Sequence, residues 1–264
     1  EPGVSALAGE VYLQNGNLPL AEEFFTKAQQ QNPGNGRLKT ALAMVRMMRD
    51  PSDNGMSSLR SVAAADTGVE ADMLLVGALM RRGQLEQALK ALAAVESKMP
   101  NQAVTAYLKA QVLLAQRDVS AARANLLRAV TLQANYFPAI HSLVGLDLAD
   151  KKPQEARKRL EVLLKAEPKI VPALLALADV AEASGAPGSD VGRLVGNAVA
   201  ADPASREAHL ALIGVYLRNK DTAKALQAAQ SAATAMPGDS PTPTPCVACP
   251  RPAGHPPPAP RQPP

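Results

Sequence analysis

Pro33, Thr67, Pro100, Ala134, Pro168, Pro203 and Pro237 follow one another at steps of 33 to 35 residues, each closing a run of apolar residues at helical spacing. Self-similarity at such a period arises when each supersecondary unit cannot bury its apolar face alone and stacks on its neighbours to do so. The expected fold is all-α, a right-handed α-solenoid of about seven helical hairpins. The units fall at about 2–35, 36–68, 69–102, 103–136, 137–170, 171–205 and 206–237. In such an array chain length sets the number of repeats rather than the number of domains.

The first unit shows the physics. Ala8 and Gly9 are small, Tyr12 is large, Asn15-Gly16-Asn17 makes a turn, and Ala21, Phe25 and Ala28 follow at helical spacing before Pro33. Two helices approach closely where small residues sit at their crossing, and large apolar residues then fill the gap to the next hairpin. Glycine reaches left-handed backbone angles cheaply after a helix, and proline cannot continue one. The pattern returns as Leu75, Leu79, Ala88, Leu92, Val95 and Pro100, as Ala110, Leu113, Ala122, Leu126 and Ala129, and as Leu143, Ala156, Leu160 and Pro168. It closes with Leu212, Tyr216, Ala225, Ala229, Ala232 and Pro237. Two units depart from it. Gly55 replaces the expected alanine of the second, under a turn expected at Pro51-Ser52-Asp53-Asn54, and Gly185, Pro187 and Gly188 loosen the turn of the sixth. Over residues 2–237 the pattern resembles the tetratricopeptide repeat (TPR).

Composition agrees with thin stacked layers: the 264 residues are 47% hydrophobic but only 3% aromatic. A net charge of +4 is too weak and too mixed to point to nucleic acid. The basic cluster Lys151, Lys152, Arg157, Lys158 and Arg159 is interleaved with Glu155 and Glu161, which reads as a solvated helix face. No apolar stretch reaches the length of a membrane-spanning helix. The chain begins at Glu1 inside a repeat, which reads as a fragment edge, so the absence of a visible targeting signal says nothing about compartment.

After Pro237 the composition changes: residues 238–264 hold 11 of the 23 prolines. Such a segment cannot bury enough apolar surface to offset its ordering, so a disordered, partly polyproline tail is expected, its abrupt change of composition reading as a non-native sequence end. Cys246, Cys249 and His255 fall one ligand short of a closed zinc site.

No phosphate-binding glycine loop, paired metal ligands or nucleophile elbow is present. His141 and His209 fall near the starts of first helices and read as partly exposed polar contacts rather than catalytic bases. The expectation is a non-enzymatic chain with no cofactor and no metal, whose partner is a protein or peptide rather than nucleic acid.

The TPR resemblance implies that first helices line the inner, concave face. The candidate partner-binding residues there are Thr40, Met44, Met47, Met73, Met80, Tyr107, Gln111 and His141, and Ala6, Glu10, Gly77, Leu175, Asp179, Leu210 and Gly214 are expected on the same face. The lysine and asparagine positions by which one TPR subclass grips a C-terminal carboxylate are not matched. Met44, Met47, Met73 and Met80 instead cluster in the second and third units, where flexible, polarizable thioethers suit adaptable apolar binding; ordinary core filling is the competing reading.

A closer resemblance rests on particular stretches: Leu75 to Gly83 leading into Ala88 to Leu92, Asn135-Tyr136-Phe137-Pro138-Ala139, Leu146 to Pro153, Ala156 to Leu160, and Ala173 to Ala178. These are similar to the large TPR lipoproteins of the PEP-CTERM/exosortase system (PrsT-like) in Gram-negative bacteria. The resemblance implies a place in the cell envelope or periplasm, associated with the outer membrane by a lipid anchor outside this chain. It also implies a scaffolding role near protein sorting and exopolysaccharide production. The alternative is the substrate- or partner-recruiting arm of a larger enzyme such as a glycosyltransferase.

Overall fold

The computed structural model describes residues 2–50 and 52–236. The proline-rich stretch, with Cys246, Cys249 and His255 and the disorder expected there, lies outside the described residues. Within them the chain forms fourteen helices and no strand: α1 (Pro2–Gln14), α2 (Leu18–Gln31), α3 (Gly36–Arg49), α4 (Asp53–Ala65), α5 (Glu70–Arg81), α6 (Leu85–Lys98), α7 (Ala103–Ala115), α8 (Val119–Leu132), α9 (Phe137–Ala149), α10 (Pro153–Ala166), α11 (Val171–Ala183), α12 (Gly188–Ala201), α13 (Arg206–Arg218) and α14 (Thr222–Ala235). Successive helices pair as seven hairpins, and each hairpin packs on the next.

Six of the seven hairpin turns share one geometry. Gly16, Gly83, Arg117, Lys151, Gly185 and Lys220 each take a positive φ, between 58° and 78°. In the first turn the Gly16 N–H donates to Leu13 O and the Asn17 N–H to Tyr12 O, at 3.0 and 2.8 Å. Those two bonds satisfy carbonyls that the end of α1 would otherwise leave bare. The next residue then starts the second helix: side chains of Asn17, Asp118 and Asp221 accept from the backbone N–H three residues on, at 3.3, 3.0 and 3.1 Å. In those three turns two residues end one helix and cap the next. The second hairpin is the exception. Asp53 and Asn54, expected in a turn, belong to α4. Gly55 is buried there, and a Cβ on it would lie 1.8 Å from the Asp50 carbonyl oxygen. The glycine that looks like decay of the repeat is what lets the chain pass.

The apolar interior runs along the array as a chain of local clusters. Ala88, Ala122 and Ala156 have no exposed surface, and each sits where its second helix crosses its neighbours beside Leu92, Leu126 and Leu160. At the first crossing Gly9 is small because Phe25 fills the space; a Cβ there would come 2.8 Å from the ring.

Buried carboxylates connect the repeats. Asp147 of α9 is 2% exposed and held by Arg123 of α8 at 2.5 Å and Arg159 of α10 at 2.6 Å. Arg159 therefore does not belong to a solvated face, as its neighbours Arg157 and Lys158 do: the aspartate one hairpin turn back draws it inward. Asp72 of α5, 3% exposed, is met by Lys98 Nζ at 2.6 Å, which also donates to Ala63 O at 2.7 Å and Gly68 O at 3.3 Å.

Candidate binding surface

Consecutive first helices touch one another, α3 with α5, α9 with α11 and α11 with α13, so they crowd onto the inner side of the stack. Between them lie two recesses. The first, about 210 Å³, opens between the ends of α3 and α5 and is lined by Met47, Met48, Met56, Ala78, Arg81 and Arg82. Three thioethers make its walls and two guanidinium side chains border it, an arrangement that admits an apolar group of variable shape. The second, about 230 Å³, lies between α11 and α13 over the edge of α12. Its floor is Leu175, Ala178, Val191, Val195 and Val215, and its rim carries Asp179, Glu182, Glu207 and Arg218.

The second recess is electrostatically uneven. Arg218 engages Glu182 through two hydrogen bonds, each 2.9 Å, from α13 to α11. Partial desolvation raises the pKa of Asp179, a residue at the exposed rim, above the ordinary aspartate value, and Glu182 and Glu207 add to the rise while Arg218 and His141 oppose it. A carboxylate in that position is stabilised by an incoming cation. Among the described residues no three of His, Cys, Asp and Glu converge on a point that could hold a metal ion.

The structure divides the residues expected on this face. Met44 and Met73 are half-buried, while Met47 and Met80 pack against the core of α3–α6, so those two thioethers serve both surface and interior. Thr40 is a correction: it is 6% exposed, its Oγ1 has no hydrogen-bond partner, and it faces packing rather than a groove. Leu175 is likewise buried and contributes only to the floor of its recess. Tyr107 is half-buried against the α7–α9 core, edge-on to Tyr136 at 5.7 Å. Gln111 donates to Ser142 Oγ at 3.2 Å and ties α7 to α9 across the inner side. His141 is exposed, 5.6 Å from the Phe137 ring. His209, expected to be partly exposed, is 3% exposed with Nε2 2.9 Å from Pro203 O. Sequence reasoning passed over Arg81, Arg82, Glu182, Glu207 and Arg218. The 36-residue separation of Glu182 and Arg218, close to one repeat, was the available signal for their pairing.

Residues 73–137 and 193–240 match the tetratricopeptide repeat family. The fold is a TPR-like solenoid. Solved structures agree in architecture at low identity. A TPR protein from Parabacteroides merdae is 14% identical, with 88% of this chain and 92% of that one aligned at a TM-score of 0.59. The C-terminal part of a TPR repeat-containing protein from Cytophaga hutchinsonii gives 14% identity, 88% and 95% coverage and a TM-score of 0.58. PilW, a type IV pilus biogenesis factor, gives 16% identity, 80% and 98% coverage and a TM-score of 0.57. No curated protein matches the sequence. TPR arrays mediate protein–protein interactions. Among the described residues no helix is long and apolar enough to cross a membrane.

Proposed function

We propose that this TPR array is a non-enzymatic scaffold that holds a peptide segment of a partner protein along its inner face. The observation that carries the reading is the pair of recesses between consecutive first helices: a thioether-lined one between α3 and α5, and a carboxylate-rimmed, apolar-floored one between α11 and α13. The fitting segment has a large apolar residue for the first and a lysine or arginine for the second, whose stem lies on the floor while its charge meets Asp179. Peptides selected from a random display library on the whole chain should show that pairing. They should lose affinity in Met48→Ser, at the exposed thioether of the first recess, and in Asp179→Asn, with helicity retained. Selected peptides that bind equally well to those variants, or that perturb only the recess of about 330 Å³ lined by Val130, Ile140 and Val162, would place recognition elsewhere.

The setting we propose is the cell envelope, beside exosortase-dependent sorting and exopolysaccharide production. Its support is the resemblance carried by Asn135 to Ala139 and Leu146 to Pro153. In the structure that second stretch ends α9, makes the hairpin turn and supplies Asp147 to the arginine pair. Fractionation of the native host, with exopolysaccharide measured after gene deletion, tests the setting; a cytoplasmic protein whose loss leaves exopolysaccharide unchanged would refute it.

A further inference from the structure

In the middle of the array one junction carries an apolar recess on its outer side, at a place that the preceding junction fills with charges. First helices crowd onto the inner side, so second helices make the outer one. Between α8 and α10 that outer side opens into a recess of about 330 Å³. Ile140 and Leu143 of α9 form its floor, and Val130, Val162 and Leu163 form its walls. Ile140, Leu143 and Leu163 are buried, whereas Val162 at the mouth is 61% exposed.

α6, α7 and α8 begin 34 residues before α8, α9 and α10 respectively, so Val130, Leu143 and Val162 stand where Glu96, Lys109 and Arg128 stand one repeat earlier. There the three are joined: Glu96 accepts from Lys109 and meets Arg128 at 2.6 Å. The connecting loop differs as well. Ala134 borders the recess where Pro100 and Pro168 close the repeats on either side. In the following junction the Val162 position is Asn197. Stacking of the hairpins therefore proceeds with a polar set at these positions, and the apolar set is not a requirement of the fold. An apolar hollow that packing does not need, open to water and edged by charge, has the character of a contact surface.

The rim carries Glu155, Lys158 and Arg159. Arg159 is committed to Asp147 at 2.6 Å. Glu155 lies in the first turn of α10, where the positive end of the helix already answers a carboxylate. Lys158 is exposed and makes no hydrogen bond or ion pair among the described residues. Its equivalent one repeat on, Arg193, has Asp190 at 4.0 Å. One unanswered cation thus stands a single helical turn from Val162, beside the apolar mouth.

We propose that this outer recess docks a segment of a partner protein that carries a large apolar side chain next to an aspartate or glutamate. The apolar side chain enters between α8 and α10, and the carboxylate meets the Lys158 ammonium, whose stem lies along the wall. Glu155, one turn before Lys158, repels an acid placed on its side, so the segment lies in one direction. The inner-face recesses are not used, and the proposal stands apart from peptide binding there. With both sides occupied the array holds two partners on opposite faces.

The preceding junction supplies the test variant. Val130→Glu, Leu143→Lys and Val162→Arg together copy its charged trio and should fill the recess, with circular dichroism melts establishing that the variant is folded. Peptides from a random display library are selected on the whole parent chain and depleted on this triple variant. The survivors should carry a large apolar residue beside Asp or Glu. Lys158→Glu should weaken them by about tenfold or more, while Lys158→Arg retains them. A selection in which no peptide distinguishes the parent from the triple variant overturns the proposal. So do recess-dependent peptides that lack an acidic residue, or that bind Lys158→Glu as well as the parent. Decanoate that shifts the Ile140 and Leu143 methyl resonances, with no such peptide recovered, overturns it in favour of a free acyl chain. Should the triple variant melt early, Val162→Glu, a single change at an exposed position, replaces it with the same expected outcomes.

Discussion

Arg159 reaches back across its hairpin turn to Asp147, its Nε 2.6 Å from one carboxylate oxygen while Arg123 of the preceding hairpin holds the other at 2.5 Å. Burial pushes the Asp147 pKa up, but the hydrogen bonds and charges of Arg159 and Arg123 outweigh it and hold the value below the ordinary 3.8. A carboxylate with a lowered folded pKa contributes stability that is present above its unfolded value and lost as pH falls through its folded one. Asp147→Asn should therefore destabilise the array at neutral pH by about 1–3 kcal/mol, the arginines being partly solvated. The difference from the parent in urea melts should shrink below pH 3.8. A constant difference across that range would show that the loss is steric.

Lys98 is the sole ion-pair partner found for Asp72 among the described residues, and it also serves two backbone carbonyls. Lys98→Met strands a carboxylate that is 3% exposed and should cost about 2–4 kcal/mol. Leu38 and Ala173 occupy the Asp72 position in other repeats, so Asp72→Leu added to Lys98→Met should recover most of that loss. Denaturant titration of the two single variants and the double variant measures the coupling.

The left-handed turn residues divide into glycines and long cationic side chains. Arg117→Gly, Lys151→Gly and Lys220→Gly should each raise stability by up to about 1 kcal/mol, relief of backbone strain exceeding the extra freedom of glycine in the unfolded chain. Gly83→Ala should lower it by a similar amount. Thermal melts of the four variants test the shared turn geometry.

Ala88→Trp and Ala122→Trp insert bulk where nothing is exposed and should each cost about 1–3 kcal/mol or more. Ala93→Trp on the exposed side of α6 is the matched control and should be mild. Gly55→Ala should be more damaging than its one added carbon suggests, since that carbon would meet backbone rather than a side chain that can swing away.

Asp179 has the opposite sign to Asp147. Its raised pKa means that ionisation costs folding free energy at neutral pH. Asp179→Asn should melt higher than the parent at pH 7, with the gain disappearing in acid where the parent carboxyl is protonated. The same substitution weakens capture of a basic peptide, so stability and binding should move in opposite directions.

The period, the all-helical class and the small residues at crossings were legible in the sequence because each follows from local spacing. Gly9 against Phe25 and the Asn15-Gly16-Asn17 turn needed only the rule that helices meet where side chains are small. Whether a side chain faces the groove or the neighbouring hairpin depends on a rotation of about one residue around the helix, which apolar patterning does not resolve. Thr40 lies on the wrong side of that boundary and Met47 across it. Charge runs misled for a related reason: Arg157, Lys158 and Arg159 are adjacent in sequence but point in different directions, and only Arg159 meets Asp147. The recess residues Glu182 and Arg218 come together across a repeat, where short-range patterns carry no signal.

The ties between repeats are short in sequence. Arg218 meets Glu182 across 36 residues, Lys98 reaches Ala63 across 35, and Arg159 finds Asp147 across only 12. Each interface therefore senses its immediate neighbours and little beyond them. An array tied in this way can lose a hairpin from either end and keep the rest, and a lesion at Gly55 should be felt near α4 and hardly at α12. Unfolding would proceed link by link rather than all at once, with a gradient of hydrogen-exchange protection rising from the two ends toward the Asp147 arginine pair.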